Sequence, residues 1–335
     1  MHTYQSLLIL ILSSCAFLSS CNKNALKNAK PLLEYEYTEA PFKLDRNNAK
    51  FASDIAYGDH SNNKFDIFLP VSKSPTPLVI FIHGGGFTHG YKALAYERYE
   101  TQIREFIDKE IAFATIDYRF LQDTDRGVIS SLEDSKRCLQ FLKYYAKSFN
   151  IDKNKVVCFG SSAGAGTSLW LALNDDMAEP DNKDPISRES TRMPAVGAIA
   201  TQATYDIIRW EEVFADYGVQ IDRIPDQLLQ QLNPFYGLSD FKEVYDQETQ
   251  AYRKKVDMLS LMDAGDPPMW IKNEQKDVSP MFDLQHHPAH ARLLKKYADS
   301  LGIDNRVYIP GYDIEDPTEE GLIDFFDRIL NGGIL

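Results

Sequence analysis

The sequence predicts an α/β fold in which helices cover both faces of a mostly parallel central sheet. From residue 78 onward, short apolar runs rich in β-branched residues alternate with longer amphipathic segments. Strands buried on both faces are continuously apolar, and parallel strands need crossover helices between them. The chain has 335 residues, of which 44% are hydrophobic and 25% are charged. It is therefore long enough for one large domain of this class with an insertion.

The predicted elements follow this alternation along the chain. Residues 53–57 and 64–69 alternate like a hairpin at the edge of the sheet. Further strands are predicted over residues 78–82, 112–117, 156–159, 196–202, 269–273 and 307–310. The main helices are predicted over residues 94–109, 132–148, 288–301 and 318–329. No internal repeat is present.

Residues 205–262 interrupt the alternation. They contain helical patterns and no strand pattern, and they are too many for an ordinary connection. We therefore expect a helical cap insertion at this point. Its aromatic residues can either line an acyl or aromatic pocket or pack the cap onto the sheet, and packing is the better expectation for each one: Trp210, Phe214, Tyr217, Phe235 and Tyr236.

Residues Gly160 to Gly164 read Gly-Ser-Ser-Ala-Gly and have the context of a nucleophile elbow. An apolar β-branched run precedes them and a helical pattern follows, which is the strand–turn–helix setting that this motif requires. Such a turn holds its serine in a strained conformation and needs small flanking residues. The central residue, Ser162, is thus the candidate nucleophile.

A second motif, His83 to Gly86 (His-Gly-Gly-Gly), follows the predicted strand 78–82. Glycines let a loop turn its backbone N–H groups inward, because no Cβ stands in the way. We expect Gly84, Gly85 and Gly86, together with the N–H of Ala163, to form an oxyanion hole for an acyl-transfer intermediate.

Together these two motifs resemble those of α/β-hydrolase esterases of the hormone-sensitive-lipase and bacterial feruloyl-esterase-like (BD-FAE-like) type, over about residues 52 to 330. The resemblance implies the α/β-hydrolase fold and a serine hydrolase that forms an acyl-Ser162 intermediate. It also implies a small-molecule or glycan ester as substrate, with an acetyl, feruloyl or other acyl group. No cofactor and no metal are implied.

In this fold the acid follows the serine along the chain, and the histidine follows the acid. The acid belongs after strand 269–273, where the resemblance favours Asp277 and leaves Asp283 as the alternative. The family's histidine belongs after the last strand, but residues 312–317 read Tyr-Asp-Ile-Glu-Asp-Pro, and no histidine follows His290. The usual position of the base is empty.

Three explanations for the base remain open. The first is a displaced base from the cluster of His286, His287 and His290, with His287 as the best candidate. The second is His83 or His89 on the oxyanion side. The third is a catalytically degenerate protein that uses its pocket to bind a carbohydrate or small ligand. A peptidase or amidase of the same fold is a further alternative, although an amine leaving group makes the missing histidine harder to accommodate.

The N-terminus has the pattern of an export signal. An apolar run over residues 7–12 precedes Leu18 to Cys21 (Leu-Ser-Ser-Cys), which resembles a bacterial lipobox, although the first residues lack Lys and Arg. We expect a signal peptide over residues 1–20, a lipid on Cys21, a tether over residues 21–50 and a hydrolase domain over residues 51–335. The net charge of −13 argues against nucleic acid and an anionic membrane surface as partners, so membrane contact is expected only through the lipid anchor.

Overall fold

A mixed sheet of eight strands, in the order β1-β2-β4-β3-β5-β6-β7-β8, organises the part of the chain that the structure describes. The structure is a computed structural model, and it describes residues 32–44, 48–279 and 283–332. The strands are β1 (Ala49–Ala56), β2 (Lys64–Pro70), β3 (Thr76–Ile82), β4 (Ala112–Ile116), β5 (Ile151–Ser161), β6 (Val196–Ile199), β7 (Met269–Lys272) and β8 (Asn305–Tyr308). The pairs β1–β2 and β2–β4 are antiparallel, and the remaining pairs are parallel.

The centre of the sheet is apolar on both faces, as the continuous hydrophobic runs predict. All seven residues of β3 are buried, and β3 lies between β4 and β5 with Val79 opposite both Phe113 and Val157. Aromatic rings fill one face, where Phe159 packs at 5.1 Å from Phe81. These observations confirm the predicted α/β class and its mostly parallel sheet.

The α-helices are numbered here in chain order within the described residues. They are α1 (Leu94–Arg98), α2 (Glu100–Asp108), α3 (Ile129–Tyr144), α4 (Ala163–Leu173), α5 (Trp210–Val213), α6 (Asp226–Leu229), α7 (Asn233–Tyr236), α8 (Gln247–Val256), α9 (Met258–Leu261), α10 (Ala289–Leu301) and α11 (Leu322–Asn331). Short 3₁₀ helices cover Leu121–Asp123, Ile207–Arg209, Ala215–Tyr217, Ile221–Arg223, Gln230–Leu232, Phe241–Tyr245 and Pro310–Tyr312. No helix in this part of the chain is both long and apolar enough to cross a membrane.

Several predicted helix boundaries differ from the observed ones; the helix expected over residues 132–148, for example, is α3 (Ile129–Tyr144). The helix expected over residues 94–109 is broken at Tyr99, whose backbone leaves the helical region (φ −124°, ψ 25°), and it forms α1 and α2. The helix expected from residue 318 begins only at Leu322. Asp316 instead accepts the backbone N–H of Thr318 at 2.9 Å and closes a separate turn.

The expected insertion is present between β6 and β7 and is built from short helices. Its own apolar core consists of Ile207, Ile221, Leu229, Tyr236, Phe241 and Val244. Paired charges tie its two ends together, because Arg209 Nη1 lies 2.8 Å from Asp257 Oδ2, and Arg253 Nη1 lies 2.5 Å from Asp206 Oδ1. The fully buried Phe214 packs inward onto histidine rings at the start of α10, which supports the packing interpretation of that residue.

The compact unit that contains the sheet begins at Tyr35, earlier than the boundary at residue 51 that the sequence indicates. The Tyr35 hydroxyl donates to the carbonyl of Ser148 at 3.2 Å. The ring of Phe42 stacks on Phe68 at 5.2 Å. Residues 35–44 therefore pack against the domain and are not part of a free tether. The expected signal peptide and Cys21 lie outside the described residues.

Candidate active site

Ser162 occupies a sharp turn between β5 and α4. Its backbone has φ 53° and ψ −122°, a conformation that side-chain-bearing residues rarely adopt. The flanking glycines make this turn possible. A Cβ on Gly164 would lie 2.0 Å from the carbonyl oxygen of Ile82, and one on Gly160 would lie 2.4 Å from the backbone of Gly164. The elbow therefore requires glycine at both positions, as the motif predicts.

Two side chains from the loop after β7 form a hydrogen-bonded chain with this serine. Ser162 Oγ lies 2.8 Å from Nε2 of His286, and Nδ1 of the same ring lies 2.7 Å from Oδ2 of Asp283. The side chains of His286 and Asp283 are partly exposed, at 35% and 42%. The site is thus open to water and to substrate.

The proton positions follow from the chemistry of these groups. Burial acts to raise the pKa of Asp283, but hydrogen bonds from the His286 ring and from two backbone N–H groups lower it below its ordinary value. The ionised carboxylate can only accept, so Nδ1 of the neutral imidazole carries the proton. Nε2 then presents a lone pair to the Ser162 hydroxyl. This is the protonation pattern that a general base needs before it takes the serine proton.

The structure brings Asp283 and His286 to Ser162, whereas the sequence favoured Asp277 and His287. Asp277 Oδ1 accepts the backbone N–H of Ser279 at 2.8 Å and closes a local turn. His287 is fully buried, and its Nδ1 accepts the backbone N–H of Ala289 at 3.0 Å, at the start of α10. Consecutive side chains in this turn point in different directions, so only one of the paired histidines can face the serine.

A local signal for this acid–base pair was present in the sequence. Aspartate often accepts the backbone N–H groups two and three residues later, which folds the chain back over its carboxylate. Asp283 Oδ1 does so, at 3.1 Å from the N–H of Gln285 and 3.2 Å from the N–H of His286. A spacing of three residues from aspartate to histidine therefore places the histidine ring beside the second carboxylate oxygen.

The glycine loop after β3 lies against the elbow. A Cβ on Gly84 would lie 3.1 Å from the Cβ of Ser162, so this part of the loop directly adjoins that serine. Gly85 (φ 117°) and Gly86 (φ 59°) adopt backbone conformations that favour glycine. Within the described residues, no hydrogen bond uses the N–H of Gly85 or Gly86. Ala163 is the first residue of α4, where the helix dipole adds partial positive charge.

His83 braces this loop, and no hydrogen bond between described residues joins its ring to Ser162. Its Nδ1–H donates to the carbonyl of Gly84 at 2.7 Å, its ring stacks on Tyr118 at 4.5 Å, and the Tyr118 hydroxyl donates to the His83 carbonyl at 2.8 Å. His89 is exposed and pairs with Thr88 Oγ1 at 3.1 Å. A base from the oxyanion side is therefore not supported by these contacts.

A tyrosine occupies the loop where the family resemblance placed a histidine. The hydroxyl of Tyr312 lies 2.8 Å from that of Tyr217 in the insertion, and the guanidinium of Arg292 lies 4.2 Å above its ring. These contacts join the loop after β8 to the insertion and to α10. Among the residues that the structure describes, no cluster of three or more His, Cys, Asp or Glu side chains forms a metal site.

Comparison with known proteins identifies the family. The BD-FAE family model matches residues 65–279. The chain belongs to the BD-FAE family. The match includes the glycine loop and the elbow, and it ends before Asp283 and His286, so the acid–base turn lies outside it.

Individual relatives cover smaller parts of the chain. A probable isoprenylcysteine alpha-carbonyl methylesterase of Arabidopsis thaliana, ICMEL1, is 29% identical over 167 residues, which are 49% of this chain and 33% of that protein. The quorum-quenching protein AidA of Acinetobacter baumannii is 30% identical over 167 residues, 48% of this chain and 52% of that protein. The matched segment thus spans between a third and about half of the length of these two relatives.

Solved structures share the fold over most of the chain. A truncated carbohydrate esterase from gut microbiota aligns with a TM-score of 0.63 at 16% identity and covers 86% of this chain and 99% of its own. Esterase B from Lactobacillus rhamnosis aligns with a TM-score of 0.60 at 16% identity and covers 98% and 96%. These alignments confirm the α/β-hydrolase fold.

Proposed function

We propose that this protein is a serine carboxylesterase that works through an acyl-Ser162 intermediate. The observation that carries the proposal is the hydrogen-bonded chain from Ser162 Oγ through the His286 ring to Asp283. Family membership and the esterase names of its relatives point to the same class of reaction. In this proposal the serine is the nucleophile, His286 is the general acid–base and Asp283 orients the imidazole.

The reaction then proceeds in two steps, acylation of Ser162 and hydrolysis of the acyl-serine. Nε2 of His286 takes the hydroxyl proton as Ser162 Oγ attacks the ester carbonyl carbon, and the carbonyl oxygen becomes an oxyanion. Backbone N–H groups of Ala163 and of the glycine loop stabilise that oxyanion. The tetrahedral species collapses, and the histidine gives its proton to the departing alcohol. Water then attacks the acyl-serine by the same proton transfers and releases the carboxylic acid and free Ser162.

The non-catalytic alternative was based on the missing C-terminal histidine. Because His286 lies 2.8 Å from Ser162 Oγ, that argument loses its support. No contact in the described residues favours a binding protein or an amidase over an esterase. Esterase activity is therefore the one function that we propose.

For the substrate we propose a small or glycan-linked ester with an acetyl, feruloyl or other acyl group. The names of structural neighbours, such as an acetyl ester-xyloside hydrolase of Caldicellulosiruptor lactoaceticus, support this class by analogy. Hydrolysis rates for p-nitrophenyl acetate, acetylated xylan and a feruloyl ester measure the preference. Hydrolysis of p-nitrophenyl acetate alone would contradict a glycan substrate.

A fluorophosphonate probe tests the nucleophile and the base. Wild type should be labelled and Ser162→Ala should not. The adjacent histidines provide a matched pair, because asparagine lacks a basic nitrogen but keeps the acceptor that His287 offers to Ala289. We expect His286→Asn to lower kcat/KM for p-nitrophenyl acetate by about 10²- to 10⁴-fold, and His287→Asn to stay within about threefold. Absence of labelling, or the larger loss in His287→Asn, would contradict the proposal.

We further propose that the protein is exported and held to a bacterial membrane by a lipid on Cys21. The lipobox-like sequence and the preceding apolar run support this proposal. Wild type should fractionate with membranes and incorporate radiolabelled fatty acid. Cys21→Ser should do neither. Fatty-acid incorporation that persists in the variant would refute modification at this residue.

A further inference from the structure

We infer that Gln202, Asn273 and His290 are positioning residues that hold the turn carrying the acid and the base. This inference rests on the proposed function, since it concerns the placement of His286 against Ser162. The three side chains bind three consecutive backbone carbonyls, those of residues 284, 285 and 286. We call this set of three side chains the carbonyl clamp.

Each contact of the carbonyl clamp has good hydrogen-bond geometry. Nε2 of His290 lies 2.9 Å from the carbonyl oxygen of Leu284, and Nε2 of Gln202 lies 2.7 Å from that of Gln285. Nδ2 of Asn273 lies 2.8 Å from the carbonyl oxygen of His286 itself. All three distances fall in the normal range for N–H···O bonds. The whole backbone segment between the acid and the base is therefore held by side chains.

The clamp residues are buried and come from three separate elements. Their exposed fractions are 8% for Gln202, 1% for Asn273 and 0% for His290. Gln202 follows β6, Asn273 follows β7, and His290 lies in the first turn of α10. Three elements of the rigid scaffold thus converge on a turn that belongs to none of the strands.

Further bonds fix the orientation of two clamp residues. Oδ1 of Asn273 accepts the backbone N–H of Gln275 at 3.0 Å, so its Nδ2 is the group left to donate to the carbonyl. Nδ1 of His290 accepts the backbone N–H of Ala203 at 3.1 Å, so its Nε2 carries the proton. The His290 ring also packs edge-on against Trp210 at 4.9 Å. The donors of Asn273 and His290 are therefore oriented towards the carbonyls that they bind.

An unusual placement of the base explains why such a clamp is needed. A histidine at the end of a strand is placed by the ladder of the sheet, whereas Asp283 and His286 lie on a turn without ladder hydrogen bonds. Unrestrained carbonyls would let this turn rotate and carry the imidazole away from Ser162. A displacement of about 1 Å costs about 100-fold in rate when it disturbs the reactive geometry.

The test compares two buried glutamines whose side chains both donate to backbone carbonyls, one in the turn that carries His286 and one far from it in sequence. Gln202→Met removes the donor to the carbonyl of Gln285. Gln140→Met is the matched control, because Gln140 is 1% exposed and its Nε2 donates to the carbonyls of Ser187 and Glu189, in the loop after α4. We expect Gln202→Met to lower kcat by about 10- to 100-fold with KM within about threefold. Gln140→Met should keep kcat within about threefold, with both thermal midpoints recorded.

Double variants separate positioning from a general loss of folding. In the His286→Asn background the clamp has no base to position, so adding Gln202→Met or Asn273→Leu should cause no further loss in the fluorophosphonate labelling rate. An equal fold-loss in both backgrounds would overturn the inference, as would unchanged kcat in Gln202→Met and Asn273→Leu. If His286→Asn itself keeps wild-type activity, the proposed function fails. If His286→Asn loses activity but the clamp variants keep wild-type activity, the proposed function stands and the inference about the clamp is wrong.

Discussion

Replacing Asp283 by asparagine tests which carboxylate orients the base. The change keeps the shape of the side chain and removes the negative charge 2.7 Å from Nδ1 of His286. In the proposed mechanism the imidazole takes the serine proton and becomes positive next to this carboxylate. An amide cannot stabilise that charge in the same way, and it can also present its N–H group to the ring, which favours the wrong tautomer.

The electrostatic part of the effect follows from the distance. Two unit charges 2.7 Å apart interact by about 6 kcal/mol at an effective dielectric constant of about 20, and by about 1.5 kcal/mol in bulk water. Because the aspartate side chain is 42% exposed, solvent screens the pair and the lower half of this range applies. A loss of about 2–4 kcal/mol corresponds to a decrease in kcat/KM of about 30- to 1000-fold.

The assay is steady-state hydrolysis of p-nitrophenyl acetate, with Asp277→Asn as the control from the same loop. Among the described residues, the Asp277 carboxylate accepts a local backbone N–H and no other hydrogen bond, so its variant should stay within about threefold of wild type. The reasoning is refuted if Asp283→Asn retains more than a third of wild-type kcat/KM, or if Asp277→Asn has the larger loss. Unfolding midpoints for both variants show whether folding has changed.

Three further predictions concern stability. Gly164→Ala should lower the free energy of unfolding by about 1–3 kcal/mol, because its Cβ would lie 2.0 Å from the carbonyl oxygen of Ile82. Gly321→Ala is the control: the nearest atom to its Cβ lies at 4.0 Å, so the free energy measured by urea unfolding should change little. Ser162→Gly should be about 1 kcal/mol more stable than Ser162→Ala because glycine relieves the strained φ of 53°; equal midpoints would contradict this. Burial lowers the pKa of His290 from 6.5 to about 3. The stability that depends on its neutral form is therefore complete above pH 6.5 and decreases as the pH falls towards 3, and His290→Gln should flatten this dependence by about 1 kcal/mol per pH unit. If the free energy of unfolding, measured in urea at several pH values, depends on pH in the variant as it does in wild type, this prediction is refuted.

The sequence was sufficient for the fold because the signals are strong where the sheet is buried. Residues 78–82 are continuously apolar, and they form the buried central strand β3. The same reasoning located the elbow, since the steric need for glycine at positions 160 and 164 is local. Helix boundaries were predicted less accurately, because the break at Tyr99 and the late start of α11 depend on turns that the apolar pattern does not record.

For the proposed acid and base, the sequence identified the loop but not the individual residues. The sequence indicated the loop after β7 and a histidine cluster within it, and both Asp283 and His286 were among the alternatives. The choice within the pair His286 and His287 depends on which ring the turn directs towards Ser162. That direction is set by contacts distant in sequence, such as the bond from Asn273 to the His286 carbonyl and the packing of Phe214 against the His287 ring.

The insertion packs against a residue that holds the turn carrying His286. Trp210 and Phe214 pack against the ring of His290, whose Nε2 holds the carbonyl of Leu284 in the catalytic turn. Loss of these aromatic contacts would leave His290 free to rotate and would release one of the three carbonyls. A substitution such as Phe214→Ala should therefore lower kcat even though Phe214 makes no hydrogen bond to the serine, the acid or the base. We therefore expect the placement of His286 to depend on the helical insertion, because the insertion packs against His290, which holds the turn that carries His286.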